Sequence, residues 1–179
     1  MILSIKKATN DNLDEVYLLE LSTYKEYSWT KETIKQEINS AHSYFYVACI
    51  DANIIAYICM WRINTEGHLI NLVVTESYRR RHIADILLYN IILLSIKQGV
   101  TCITLEVREG NKSASSLYKK FLFKLIGRRK GYYQNNNEDA LILWLHNINS
   151  ESYLNHLNTI YKKDSKDYAN ISFSWITDK

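Results

Sequence analysis

Apolar and polar residues alternate from Leu3 to Ala8, a period of two that predicts a strand. The period then lengthens: Leu13, Val16, Tyr17, Glu20 and Leu21 fall on one face of a helix that Asn10 or Asp11 can cap. A second, short amphipathic helix is predicted from about Thr30 to Ile38, with Thr30 as N-cap and Ile34 and Ile38 one turn apart. Three strand patterns follow, Tyr44 to Ile50, Ile54 to Ile63 and His68 to Val74. Asp51, Ala52 and Asn53 between the first two suit a tight hairpin, so an antiparallel meander is expected.

The strongest helical pattern runs from Ile83 to Lys97, where Ile83, Ile86, Leu87, Asn90, Ile91 and Leu94 share a face and Gly99 follows as C-cap. Cys102 to Val107 reads as a strand and Ser113 to Phe121 as a helix. A further strand is expected between Phe123 and Tyr133, and a last one from Ala140 to Leu145 after the turn-like Asn135, Asn136 and Asn137. Strand, two helices, three strands, long helix, strand, helix and two strands make a mixed α/β plan. Residues 1–146 form one domain on this reading. Residues 147–179 are polar and weakly periodic, and read as an extension that is either disordered or docked.

Composition narrows the function classes. A chain of 179 residues with 47% hydrophobic and 23% charged residues suits one globular domain. No apolar run is long enough for a membrane span and no signal segment follows Met1, so a cytoplasmic protein is expected. The three cysteines, Cys49, Cys59 and Cys102, lie in strand-like runs without paired spacing, and the five histidines show no ligand spacing; neither a disulfide framework nor a metal is implied. A net charge of +3 is too small to argue for nucleic acid, leaving two local clusters, Arg79 to Arg81 and Arg128 to Lys130. The chain has no proline and only five glycines, so an absent glycine weighs less against a motif than usual.

Three places carry candidate chemistry. Between Leu69 and Leu88 a buried strand, a basic turn and a strong helix succeed one another; free N–H groups at such a turn and helix start bind phosphate, although the spacing alone suits a solvated basic loop equally well. Glu106 stands among apolar residues near the carboxyl end of its strand, where a general base would sit; a surface ion pair, for example with Arg108, is the competing reading. Tyr118 is at helical spacing from Ala114 and Phe121, which is also the spacing of ordinary packing.

Taken together these pieces resemble the GNAT family of N-acetyltransferases, and within it the RimI type, from Ile2 to about Leu145. Arg79 to Ala84 stands where the family has Q/R-x-x-G-x-G/A. "LEVR" follows at Leu105 to Arg108, then Asn111 with Ala114, "LY" at Leu117 and Tyr118, "YY" at Tyr132 and Tyr133, and "EDA" at Glu138 to Ala140. Trp29 with Thr30 is similar to the family's W-S. The resemblance implies a GNAT fold: a mixed, mostly antiparallel sheet with a splayed central strand pair and about four helices. It implies acetyl-coenzyme A as acetyl donor, with Leu72, Val73 and Val74 along the pantetheine arm, Arg80, Arg81, His82, Ile83, Ala84 and Asp85 around the pyrophosphate, and Asn111 steadying the cofactor. It assigns Glu106 as general base and Tyr118 as general acid. Trp29, Tyr132, Tyr133 and Glu138 are candidates to line a groove for the acceptor. The implied acceptor is the α-amine of a protein N-terminus, an alanine of a small-subunit ribosomal protein. A lysine or polyamine acceptor, or a non-catalytic binding module, is the alternative; direct nucleic-acid binding is not expected, because the first basic cluster has a phosphate partner in the cofactor. Two departures stand out: His82 replaces the first loop glycine, and Phe121, Leu122, Phe123 replaces L-G-F.

Overall fold

Strands that alternate buried and half-buried residues need cover on both faces, and the chain provides it with helices on each side of one sheet. The computed structural model describes residues 2–167 and 170–173. The strands are β1 (Ile2–Lys7), β2 (Ser43–Ile50), β3 (Asn53–Ile63), β4 (Glu66–Val74), β5 (Cys102–Arg108), β6 (Lys124–Tyr133), β7 (Glu138–His146) and β8 (Asn170–Phe173). The helices are α1 (Leu13–Tyr24), α2 (Lys31–Asn39), α3 (Ile83–Lys97), α4 (Lys112–Lys120) and α5 (Glu151–Asp164). All eight strands join one sheet in the order β6-β7-β5-β4-β3-β2-β1-β8, antiparallel except for the β4/β5 and β1/β8 pairs. None of the described helices is long and apolar enough to cross a membrane.

The two faces have separate cores. On one side Val16 and Leu19 of α1 and Ile34 and Ile38 of α2 pack on Phe45, Val47, Tyr57, Cys59 and Val73 of the sheet. On the other, α3 is buried nearly all round, from Ile83 through Ile92, because the sheet lies on one side of it and α5 on another. The Thr30 hydroxyl caps α2 by accepting from Thr33 N at 3.1 Å, as its position in the pattern predicts.

The fifth helix is the main element the periodicity did not announce. Ser150 caps it, accepting from Tyr153 N, and Tyr153, Leu157 and Ile160, spaced at i, i+4 and i+7, enter the same core as α3. Tyr161 stacks on Tyr89 of α3 at 4.3 Å, and the Tyr153 hydroxyl donates to Phe121 O just beyond α4. Only three buried apolar residues are spread over the fourteen of α5, which is why the segment reads as polar.

A chain short of glycine must place other residues in left-handed backbone. Asp51 and Ala52 (φ 49° and 67°) make the β2/β3 hairpin turn, and Leu122 (φ 66°) makes the turn after α4 where the resembling family has glycine. Leu122 is 46% exposed, so its side chain contributes little burial to offset the unfavourable φ. Leu122→Gly should therefore raise unfolding stability by about 1 kcal/mol, the left-handed penalty less the extra unfolded-state freedom of glycine; a rise in Tm of about 2–4 °C in thermal unfolding would show it. Leu157→Ala, by contrast, empties a fully buried position of α5 and should cost about 2–4 kcal/mol in urea unfolding. A change under about 0.5 kcal/mol, usual for surface positions, would mean that α5 does not share the core.

Candidate active site

The site is organised by two strands that part. β4 and β5 pair in parallel over four positions only, from Glu66↔Cys102 to Leu69↔Leu105. Beyond Leu69, β4 stays bonded to β3 through Leu72, Val73 and Val74, while β5 stays bonded to β7 through Glu106, Val107 and Arg108. Their facing edges there carry N–H and C=O groups that the sheet does not pair, a slot for a ligand with amides of its own. An irregularity opposite Cys59/Met60 leaves Ile70 as the extra residue of β4, at the place where the divergence begins.

Past Val74 the chain turns through Arg79, Arg80 and Arg81 into α3. Arg80 has φ 62°, and His82, the N-cap of α3, sits at φ 58°, ψ 13°. Left-handed residues alternating along a turn tilt successive N–H groups toward one side, and with the start of a fifteen-residue helix they make an anion-binding concavity. Ile83 is buried, and Ala84 and Asp85 are half-buried in the first turn. Arg79 Nε donates to Val74 O at 3.2 Å, tying the turn to the open strand end. His82 Nδ1 lies 3.5 Å from carboxylate oxygens of both Asp85 and Asp164, and Lys120 Nζ binds both carboxylates, Asp85 at 2.7 Å. Three metal-ligating residues, His82, Asp85 and Asp164, thus lie with ligand atoms within 4.8 Å of one another, but the cation between the carboxylates is the Lys120 ammonium. Burial alone would depress Lys120; its bonds to Asp164 and Asp85 outweigh that and hold it above the ordinary lysine range.

Glu106 lies on β5 just beyond the last residue paired with β4, and Arg129 Nη1 of β6 lies 3.0 Å from its Oε1. Its ion-pair partner is thus Arg129, not Arg108, which instead lies 3.6 Å over the Tyr133 ring and 3.2 Å from Glu138. Tyr118 of α4 is 8% exposed, edge-on to Phe123, with no hydrogen bond to its hydroxyl among the described residues. Burial, then Tyr24 and Tyr133 nearby, push its phenol well above the ordinary range, so it stays protonated. Tyr133 thus lies within electrostatic reach of both Glu106 and Tyr118, with Tyr132 edge-on to it at 5.1 Å.

Two candidates occupy other work. Glu138 accepts from Asn136 at 3.0 Å, from Gly110 N at 2.7 Å and from Arg108, donors that together hold it below the usual carboxylate range; it braces the β5/α4 turn. Asn111 caps α4, its Oδ1 accepting from Ala114 N at 3.0 Å, which leaves its amide NH₂ to reach a ligand. Trp29 has no hydrogen bond or ring contact with Tyr132, Tyr133 or Glu138 among the described residues; its backbone N–H donates to Glu20 Oε1 at 2.9 Å.

Glu20 belongs to a network that motif reading missed. It is 1% exposed and accepts from the Tyr57 hydroxyl; Asn71 Nδ2 donates to Tyr57 at 2.7 Å, and the Tyr24 hydroxyl donates to Asn71 Oδ1 at 2.8 Å. The chain of bonds fixes the α1/α2 connection to β3 and β4 and carries Tyr24 to the neighbourhood of Tyr118. Burial, chiefly, pushes Tyr24 up to about 12. The available signal was a carboxylate on the apolar face of α1. In the second basic cluster, Arg128 pairs with Glu109 at 2.6 Å and Arg129 with Glu106, so two of its three cations are already matched.

Burial raises the Glu20 carboxyl above its ordinary 4.5 against the opposing pull of Trp29, Tyr57 and Asn71. A carboxyl raised on folding stabilises fully below its unfolded pKa and loses that contribution as pH rises through the folded value. The stability advantage of the native chain over Glu20→Gln should therefore be largest near pH 4 and shrink toward pH 7, measured by urea unfolding at both; a gap that widens with pH would contradict the assignment.

Comparison with known proteins identifies relatives of this chain and of its fold. Residues 13–123 match the model of the Acetyltransferase (GNAT) family. A Bacillus subtilis protein provisionally named a ribosomal protein bS18-alanine N-acetyltransferase is 29% identical over 143 residues, 79% of this chain and 94% of that one. An N-alpha-acetyltransferase of Saccharolobus solfataricus is 31% identical over 157 residues, 78% of this chain and 90% of that one. The crystal structure of the ribosomal-protein-S18-alanine N-acetyltransferase from Escherichia coli superposes with a TM-score of 0.75 at 24% identity, covering 81% of this chain and 94% of the other.

Proposed function

The chain belongs to the GNAT family of acetyl-coenzyme A dependent acetyltransferases, and from that premise we propose that it acetylates the N-terminal α-amine of a protein, with an alanine-starting ribosomal protein as substrate. The observation that carries the proposal is the parting of β4 and β5 beside Glu106 and Tyr118, at the end of the sheet where the basic turn enters α3. The named activities of the Bacillus subtilis and Saccharolobus solfataricus relatives support the choice of acceptor.

Acetyl-coenzyme A supplies a thioester acyl group and a thiolate leaving group. The edge of β4 that β5 leaves, along Leu72, Val73 and Val74, takes the amides of its pantetheine arm, with Val74 O already held by Arg79 Nε. The N–H groups from Arg80 to Asp85, with the arginines, face its pyrophosphate, and the Asn111 amide steadies the arm. An α-ammonium has a pKa of roughly 8, so a carboxylate base is sufficient to unmask it near neutrality. Glu106, paired with Arg129 at 3.0 Å, takes that proton directly or through a water. The buried, protonated Tyr118 delivers its proton to the departing sulfur. Tyr132 and Tyr133 flank the acceptor's path, and Trp29 and Glu138 contribute through the segments they hold. The cysteines take no part: Cys49 and Cys59 are buried, and burial drives the Cys59 thiol up to about 12.

The test is mass spectrometry of an alanine-starting peptide incubated with the protein and acetyl-coenzyme A. Transfer to the α-amine is expected, with kcat reduced about 10²–10⁴-fold by Glu106→Gln and, separately, by Tyr118→Phe, the usual range for a lost general acid or base. Acetylation of a lysine side chain in place of the α-amine would overturn the choice of acceptor, and full activity in Glu106→Gln would overturn the base.

A further inference from the structure

We infer that α5 is a working part of the cofactor site, and that its last residue, Asp164, is a positioning residue that holds His82 in the left-handed conformation the pyrophosphate turn requires. The inference rests on the acetyl-coenzyme A reading of that turn and adds a component from outside the matched residues 13–123.

The argument starts from strain. His82 occupies a position where its Cβ disfavours φ 58°, and such a conformation persists only when the surroundings impose it. The backbone supplies one constraint, His82 O accepting from Ile86 N at 3.0 Å in the first turn of α3. The side chain supplies the others. Nδ1 faces Asp85 Oδ2 and Asp164 Oδ1, each at 3.5 Å, while the rest of the imidazole remains partly exposed. Asp164 is 2% exposed, and its Oδ1 has no hydrogen-bond partner among the described residues, so His82 is the polar group that faces it. Its other oxygen binds Lys120, which also binds Asp85. Imidazole, ammonium and two carboxylates thus form one clasp across α3, α4 and α5.

The helix that brings Asp164 there is itself firmly placed. His156 Nε2 is 2.9 Å from Lys120 O, Tyr153 bonds to Phe121 O, and the Tyr89 hydroxyl of α3 donates to Asn158 at 3.2 Å. A rigid brace on the side chain fixes the direction of the turn's N–H groups as a glycine, free to rotate, would not. Coulomb interaction makes the opposite prediction: a carboxylate beside a phosphate site repels the ligand, and removing it should tighten binding. The sign of the effect therefore separates positioning from charge.

The experiment is calorimetric titration of coenzyme A into the full chain. Asp164→Asn is expected to raise Kd about tenfold despite removing a negative charge, an effect of about 1.4 kcal/mol. In a His82→Gly background, where the turn needs no brace, the same change should alter Kd by less than about twofold, a non-additivity that marks the two residues as coupled. At saturating acetyl-coenzyme A, Asp164→Asn should keep its kcat while KM rises. Unchanged or tighter binding by Asp164→Asn overturns the inference, as does a tenfold loss that persists undiminished in the His82→Gly background. Should Asp164→Asn not fold, Asp164→Glu keeps the charge and shifts the carboxylate by one methylene; it should weaken binding, and an unchanged Kd overturns the inference. Failure of the unmodified chain to bind coenzyme A overturns the acetyltransferase reading itself and this inference with it, an outcome distinct from an effect confined to the variants.

Discussion

Parallel strands normally continue their hydrogen bonds as far as both run, and β4 and β5 do not. After four paired positions each keeps only its outer neighbour, and the inner edges leave main-chain donors and acceptors open at the centre of a sheet. Unpaired buried backbone groups are disfavoured by about 1–3 kcal/mol each, so the divergence has to be maintained from both sides and completed by water or ligand. The helices divide that task. α3 and α4, with α5 behind them, hold the ends of β4 and β5 from one face; α1 and its connection to α2 hold β3 and β4 from the other. Glu106 sits beside the gap because β7 keeps β5 extended to Arg108, and the basic turn follows there because β3 keeps β4 extended to Val74.

The interactions that fix the helices beside the gap are polar, and that distinguishes this end of the molecule from its cores. On the α1 face, Glu20, Tyr57, Asn71 and Tyr24 form a continuous bonded chain; on the α3 face, Lys120 joins Asp85 to Asp164. Burying such groups is unfavourable unless each is satisfied, and a matched set specifies one geometry where apolar contact would tolerate several. The Glu20 chain has hydrogen bonds of 2.7 and 2.8 Å, within the ordinary range for such bonds.

How much of this is legible in the sequence follows from the range of the signals. The period of two in β2 and β3 and the apolar run of α3 are local, and so can be read nearly to the residue. "LEVR" and "LY" mark Glu106 and Tyr118 because each motif is a short continuous run in the sequence. α5 escapes such a reading, since its three core residues are diluted by polar neighbours and its partners lie in α3 and α4. Arg129 stands out only as a member of a basic run, because pairing with Glu106 requires β6 and β5 to sit on either side of β7, a matter of strand order that no local pattern contains. Glu20 is visible as part of the α1 face but gives no hint of Tyr57 and Asn71, 37 and 51 residues away.

The glycine-poor composition ties these points together. Where the resembling family uses glycine, this chain has His82 and Leu122, and both adopt the backbone glycine would have adopted. The two replacements are not equivalent. Leu122 is exposed and its side chain does nothing evident to offset the strain, whereas His82 directs an imidazole to two carboxylates, one of them on the helix that follows the matched residues. A glycine turn is placed by its flanking elements and keeps its freedom; a histidine turn is placed by its side chain as well, and so depends on whatever receives that side chain. The residue that replaces the loop glycine thus turns its imidazole toward Asp164, about eighty residues further on, 3.5 Å from its Oδ1. The loop and the C-terminal helix are to be understood as one unit.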